Sequence, residues 1–203
     1  MLRLVLSGLM GALLVVSKQA MSGLPNLEPV SLLIILFALE LPRETPGAIT
    51  VFILLQGVLY GFGLWWVMYL YVWYLLALLA WLLRRMDNAF FWAVFSGLYG
   101  LCFGGLCAAG YLFAKTPAFA LSWWLSGLSY DALHGVGNFV LMLLLYRPLC
   151  RALHPHRLPG LGDQRGRADH GVSRTIWNCL RFALAISAEI IFLNLHYLYH
   201  FPY

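Results

Sequence analysis

Asp131, His134 and Asn138 stand inside an otherwise apolar stretch, Ser126 to Arg147 (SGLSYDALHGVGNFVLMLLLYR), that is long enough to cross a bilayer. An ionisable residue at membrane depth is costly to insert, so it marks a binding or transport site by default. Helical steps of three and four residues bring the three side chains onto one face, and that face is expected to look into a protein interior. There a carboxylate, an imidazole and an amide can hold the polar part of a ligand or satisfy one another between helices. Acid/base chemistry by Asp131 and His134 is a weaker alternative. No serine or cysteine nucleophile is placed by sequence to complete a triad, and HExxH, GxSxG and paired intramembrane aspartates are absent. No catalytic residue is assigned.

Other residues qualify for the same site. Trp66, Tyr69 and Trp73 share one face of an apolar stretch by three- and four-residue steps. Tyr69 and Trp73 lie deep enough to stack on a planar ring, whereas Trp65 and Trp66 also suit an interfacial aromatic belt, as do Trp123 and Trp124. Gln56 is a lone amide that binds a ligand or bridges helices. Asn26 and Glu28 border prolines in a connection and are turn residues or parts of a lid. Cys102, Cys107, Cys150 and Cys179 form no CxxC pair and no zinc-ligand spacing, so they are read as packing residues, with no metal and no cofactor.

The elements that must position these groups are membrane spans. With 203 residues, 62% hydrophobic and 10% charged, and a mean hydropathy of +0.80, the chain would expose too much apolar surface in water. Spans are expected at Leu2 to Val16, Val30 to Leu41, Ala48 to Tyr60, Leu64 to Leu83, Ala89 to Ala114 and Leu121 to Leu145. The second is too short to cross alone and is expected to recruit neighbours. With the amino terminus in the cytoplasm, Arg3, Arg43, Arg84, Arg85, Arg147 and Arg151 fall inside and only Lys18 and Lys115 outside. This predicts a multi-pass protein of the cytoplasmic membrane. Residues 1–153 form the six-span body, 154–175 a basic cytoplasmic linker, and 176–203 an additional apolar segment, for which a seventh span and an interfacial helix are both open. The pI of 9.2 fits attraction to anionic lipid and requires no nucleic acid.

Small residues recur at helical spacing. Ser7/Gly11 and Gly8/Ala12 pair in the first span, and Ser96, Gly100, Gly104 and Ala108 repeat in the fifth, patterns that let helices approach closely. Internal packing is the expectation for the fifth span; for the first, a partner protein competes. No GxxxxGK[ST] phosphate loop is present, so the chain does not hydrolyse ATP by that route.

Several segments together resemble the substrate-binding S component of energy-coupling factor (ECF) transporters. They are Ser7-Gly8-Leu9-Met10-Gly11-Ala12, Leu24-Pro25-Asn26-Leu27-Glu28-Pro29-Val30-Ser31, Gly57 to Trp66 (GVLYGFGLWW) and Ser126 to Phe139 (SGLSYDALHGVGNF). The resemblance covers residues 1–153. It implies an all-α, six-transmembrane-helix bundle with both ends cytoplasmic, binding a vitamin or similar micronutrient between the later helices, under the loop after the first span. Within that region the residues read as substrate-binding are Asp131, His134, Asn138, Tyr69, Trp73, Trp66, Gln56, Asn26 and Glu28. The resemblance also implies that Ser7, Gly8, Gly11 and Ala12 dock on a transmembrane scaffold subunit driven by two ATPase subunits. The first-span motif of that family is usually built of alanines, so docking here rests on residue size. A flat heterocycle suits an aromatic, mildly polar site; a corrinoid would need a wide outer mouth. The alternative is a structural or assembly protein whose polar trio is self-paired.

Overall fold

Leu4, Val58, Phe62, Leu98 and Leu144 are exposed, while Leu14, Ile34, Phe52, Trp92 and Met142 are fully buried. Apolar side chains on both surfaces of a bundle indicate a lipid solvent. The computed structural model describes residues 1–21 and 28–153. Among these are six helices: α1 (Leu2–Ala20), α2 (Val30–Glu40), α3 (Thr45–Tyr60), α4 (Leu64–Leu82), α5 (Ala89–Ala114) and α6 (Pro117–Leu153). α1, α4, α5 and α6 are long and apolar enough to cross a membrane, whereas α2 and α3 are shorter. The described residues form an all-α bundle of membrane type. The expected linker 154–175, the apolar segment 176–203 and Asn26 lie outside the described residues.

Local chemistry sets the helix ends. Gly61 closes α3 at φ 86°, a backbone conformation that a residue with a Cβ adopts at a cost, and so turns the chain into α4. At the start of α5 the Asn88 side chain accepts from the Phe90 N–H at 2.9 Å, satisfying one of the donors that a helix start leaves free. α1 runs past the polar break where the first span was expected to end: Ser17 donates its hydroxyl to the Leu14 carbonyl at 3.0 Å, so Ser17-Lys18-Gln19 stay helical. α6 likewise extends beyond the expected span at both ends and keeps Pro148 inside its last turns.

α2 departs most from expectation. It recruits no neighbours and remains at 11 residues, a rise of about 16 Å, yet Val30 to Ala38 are all buried. Ser31, in its first turn, touches Asn138 of α6, which lies level with Ser96 and Gly100 of α5. From Gly100 to the end of α5 at Ala114 the rise is about 21 Å. α2 therefore fills one half of the bundle, and Glu28, two residues before it, lies at the edge of the other half.

Close contacts between small residues set the packing. α5 and α6 run antiparallel, with Gly100 against the Gly135 backbone and Gly97 against Phe139, so the fifth-span repeat is internal. α1 lies along α3: a Cβ on Gly11 would come within 2.8 Å of the Ala48 carbonyl oxygen, and Ser7 fills the space beside Gly47 and donates to the Glu44 carbonyl at 3.0 Å. Ser7 and Gly11 are therefore buried inside the bundle, and this half of the expected docking face is taken by α3. Gly8 and Ala12 point outward beside exposed Val5 and Leu9.

This connectivity separates the charges. Arg3 pairs with Glu44 at 3.6 Å, and the α2–α3 turn, the α4–α5 connection and the end of α6 share that end with Arg43, Arg84, Arg85, Arg147 and Arg151. Lys18 and Lys115 mark the opposite end.

Candidate functional site

A cavity of about 270 Å³ opens at the lysine end. Its walls come from α4, α5, α6 and the segment before α2. α6 contributes Asp131 and His134 one helical turn apart, with Tyr130, Gly127, Trp124 and Trp123 toward the mouth. α5 faces them with Phe103, Gly104 and Cys107, and Tyr69 of α4 and Glu28 complete the wall.

Gly104 explains how a carboxylate fits between two helices. Any side chain at that position would collide with Asp131, and its bare backbone N–H donates to Asp131 Oδ1 at 2.9 Å. The second oxygen, Oδ2, is buried without a hydrogen-bond partner. His134 packs edge-on against Phe103 with ring centroids 4.8 Å apart, and its Nε2 is also buried and unpartnered, as is the indole nitrogen of Trp124 in the same wall. Asp131 and His134 are only 6% and 7% exposed. The Trp124 indole lies beside the Asp131 carboxylate, and a buried polar atom without a partner, as at His134 Nε2, costs about 1–3 kcal/mol.

Lys18 reaches over this space from the last turn of α1. Its ammonium pairs with Glu28 at 2.6 Å and donates to the Tyr69 hydroxyl at 3.4 Å, lying 5.9 Å from that ring's centre. The bond ties α1, the segment before α2 and α4 together at the cavity. Behind Tyr69, Trp73 packs edge-on at 5.4 Å and against Phe103 at 5.3 Å.

The residues singled out by sequence fall into distinct environments. Asp131, His134, Tyr69 and Glu28 line the cavity. Trp73 supports Tyr69 from behind, and its indole nitrogen has no partner. Asn138 is separated from the other two members of the trio by its bonds: it donates to Ser31 Oγ at 3.2 Å and to the Ser96 carbonyl at 3.5 Å, joining α6 to α2 and α5. Trp66 donates to the Ile53 carbonyl at 2.8 Å and thereby fastens α4 to α3. Gln56 is buried with its amide nitrogen unpartnered and does not line this cavity. Three- and four-residue spacing correctly groups side chains on a helix face, but it does not say which neighbour each level of that face meets.

Sequence reasoning passed over Lys18, Phe103, Gly104, Cys107 and Tyr130. Lys18 carried a usable signal, being a charge one turn beyond an apolar span. Gly104 carried another: it belongs to a small-residue stripe but lies opposite an acidic residue, not a second glycine. Cys107 shares the wall with His134, yet His134 Nε2 has no hydrogen-bond partner, so the two do not form a nucleophile–base pair through that atom. Among the described residues no group of three His, Cys, Asp or Glu could hold a metal ion. No family model, curated protein or solved structure matches the chain.

Proposed function

We propose that this chain is the membrane-embedded substrate-capture subunit of an ECF-type importer, taking up a vitamin or similar micronutrient. The observation that carries this reading is the cavity at the lysine end, with the buried and unpaired Asp131 Oδ2 and His134 Nε2 in its wall. A ligand with matching polar atoms offsets the cost of burying those groups. The gathering of arginines at the other end supports an orientation with that end and the amino terminus in the cytoplasm, so that the cavity opens outside. With no phosphate loop in the sequence, energy comes from elsewhere. The proposed partners are a transmembrane scaffold subunit and two ATPase subunits, with Gly8 and Ala12 on the outward face of α1 as the place of docking.

The test is purification of the full chain in mild detergent from its native membrane, followed by mass spectrometry of retained small molecules and co-purified proteins. A stoichiometric small molecule together with a pair of ATPases is expected. A chain carrying neither would instead be a structural or assembly protein, the second reading, which the Asn138 bridge to Ser31 and Ser96 favours.

A further inference from the structure

The charges and shape of the cavity go further than substrate capture in general. Glu28 and Asp131 line it, and no lysine or arginine does, among the described residues. The nearest ammonium, that of Lys18, is held by Glu28 at 2.6 Å, so those two charges cancel each other. Asp131 has no such counter-charge. One of its oxygens accepts from the Gly104 N–H, the other is buried against α5, and the Trp124 indole lies beside the carboxylate as a neutral donor, so no positive group balances its charge. An ionised carboxylate out of water needs a cation or a strong donor beside it.

The walls answer to the same chemistry. Tyr69, Phe103, Trp123, Trp124 and Tyr130 line the same cavity as the carboxylate, and aromatic rings attract a cation that has shed its water. The volume of about 270 Å³ admits a molecule of one or two rings and is too small for a corrinoid macrocycle.

We infer that the ligand is a small organic monocation, a positively charged nitrogen heterocycle or a protonated amine carrying a ring, whose charge rests on Asp131 and whose ring is held among the aromatic walls. His134 Nε2 is left to bond one of the ligand's remaining polar atoms. This deepens the capture function proposed above and rests on it. An anion is disfavoured, because it would have to sit against the Asp131 carboxylate without relief from Lys18. An inorganic cation is disfavoured by the lack of a metal-holding group among the described residues.

Three pyridines of nearly equal size test the charge: 1-methylnicotinamide (cation), nicotinamide (neutral) and nicotinate (anion), titrated by calorimetry against the full-length protein freed of bound ligand. Mass spectrometry of the molecule retained from cells is run in parallel. The expected order of affinity is cation above neutral above anion, and the retained molecule is expected to carry a fixed or protonated positive charge. Asp131→Asn, which keeps the shape and an acceptor but loses the charge, should reduce the preference for the cation over nicotinamide about tenfold or more. Leu144→Ala, exposed on the outer surface near the other end of α6, serves as the control away from the cavity and should leave that ratio unchanged. Tight binding of a neutral or anionic retained molecule, or a cation preference that survives in Asp131→Asn, overturns the charge assignment while leaving substrate capture standing. A protein that retains nothing and binds none of the three probes overturns both.

Discussion

Asn138 illustrates how one residue in a sequence pattern takes a different role from its companions. Asp131, His134 and Asn138 share a helix face, but the first two meet a cavity and the third meets Ser31 and the Ser96 carbonyl. Removing its amide strands a buried hydroxyl and loses the bond between α6 and α2. Asn138→Ala is therefore expected to lower stability by about 1–3 kcal/mol, seen as a lower midpoint of thermal unfolding in detergent, while the Kd of the retained ligand stays the same in the folded fraction. A lowered affinity at unchanged stability would return Asn138 to the binding site. That Asp131 and His134 would face the protein interior was legible from cost alone, since polar groups at membrane depth are expensive to expose to lipid. The division of this face into a cavity part and a bonding part was not, because that depends on α2 starting only at the level of Ser31, and no periodicity in α6 encodes where another helix begins.

At the scale of elements, α1 shows how small residues serve two faces at once. Overlapping pairs at Ser7/Gly11 and Gly8/Ala12 look equivalent in sequence, yet a quarter-turn of helix separates burial against α3 from exposure on the outside. Gly11→Leu would drive a side chain into Val51 and the Ala48 carbonyl, so it is expected to destabilise the bundle by about 1–3 kcal/mol or more and to reduce binding and uptake alike by loss of folded protein. Gly8 has open space around its Cα. Gly8→Leu should leave unfolding and ligand affinity unchanged and abolish transport in whole cells if this face docks on a scaffold helix. Wild-type uptake by Gly8→Leu would remove α1 from the proposed interface. The long helices were readable because apolar length is their defining property, and α4 and α5 end within a residue of expectation. α2 was misjudged for a physical reason: the rule that a span needs about 20 residues assumes a lipid neighbour, and α2 is shielded from lipid by the other helices.

For the whole molecule, the separation of charge between the two ends decides which side of the membrane the cavity faces. Up-and-down connectivity carries Arg3, Arg43, Arg84, Arg85, Arg147 and Arg151 to one end and leaves Lys18 and Lys115 at the other. Lys18 is neutralised by Glu28, so the lysine end presents even less free positive charge than a simple count suggests. Basic residues in short loops are retained on the cytoplasmic side during insertion, which predicts a cytoplasmic arginine end. In a background with Cys102, Cys107, Cys150 and Cys179 replaced by serine or alanine, Lys115→Cys in intact cells should react with a membrane-impermeant maleimide, and Arg84→Cys should react only after the membrane is permeabilised. The α5–α6 connection and the cavity mouth lie at the same end, so labelling at position 115 also reports the side from which a ligand enters. The opposite pattern would turn the cavity toward the cytoplasm. Capture from outside would then be impossible in this conformation, and Asp131 and His134 would have to serve a ligand arriving from within the cell.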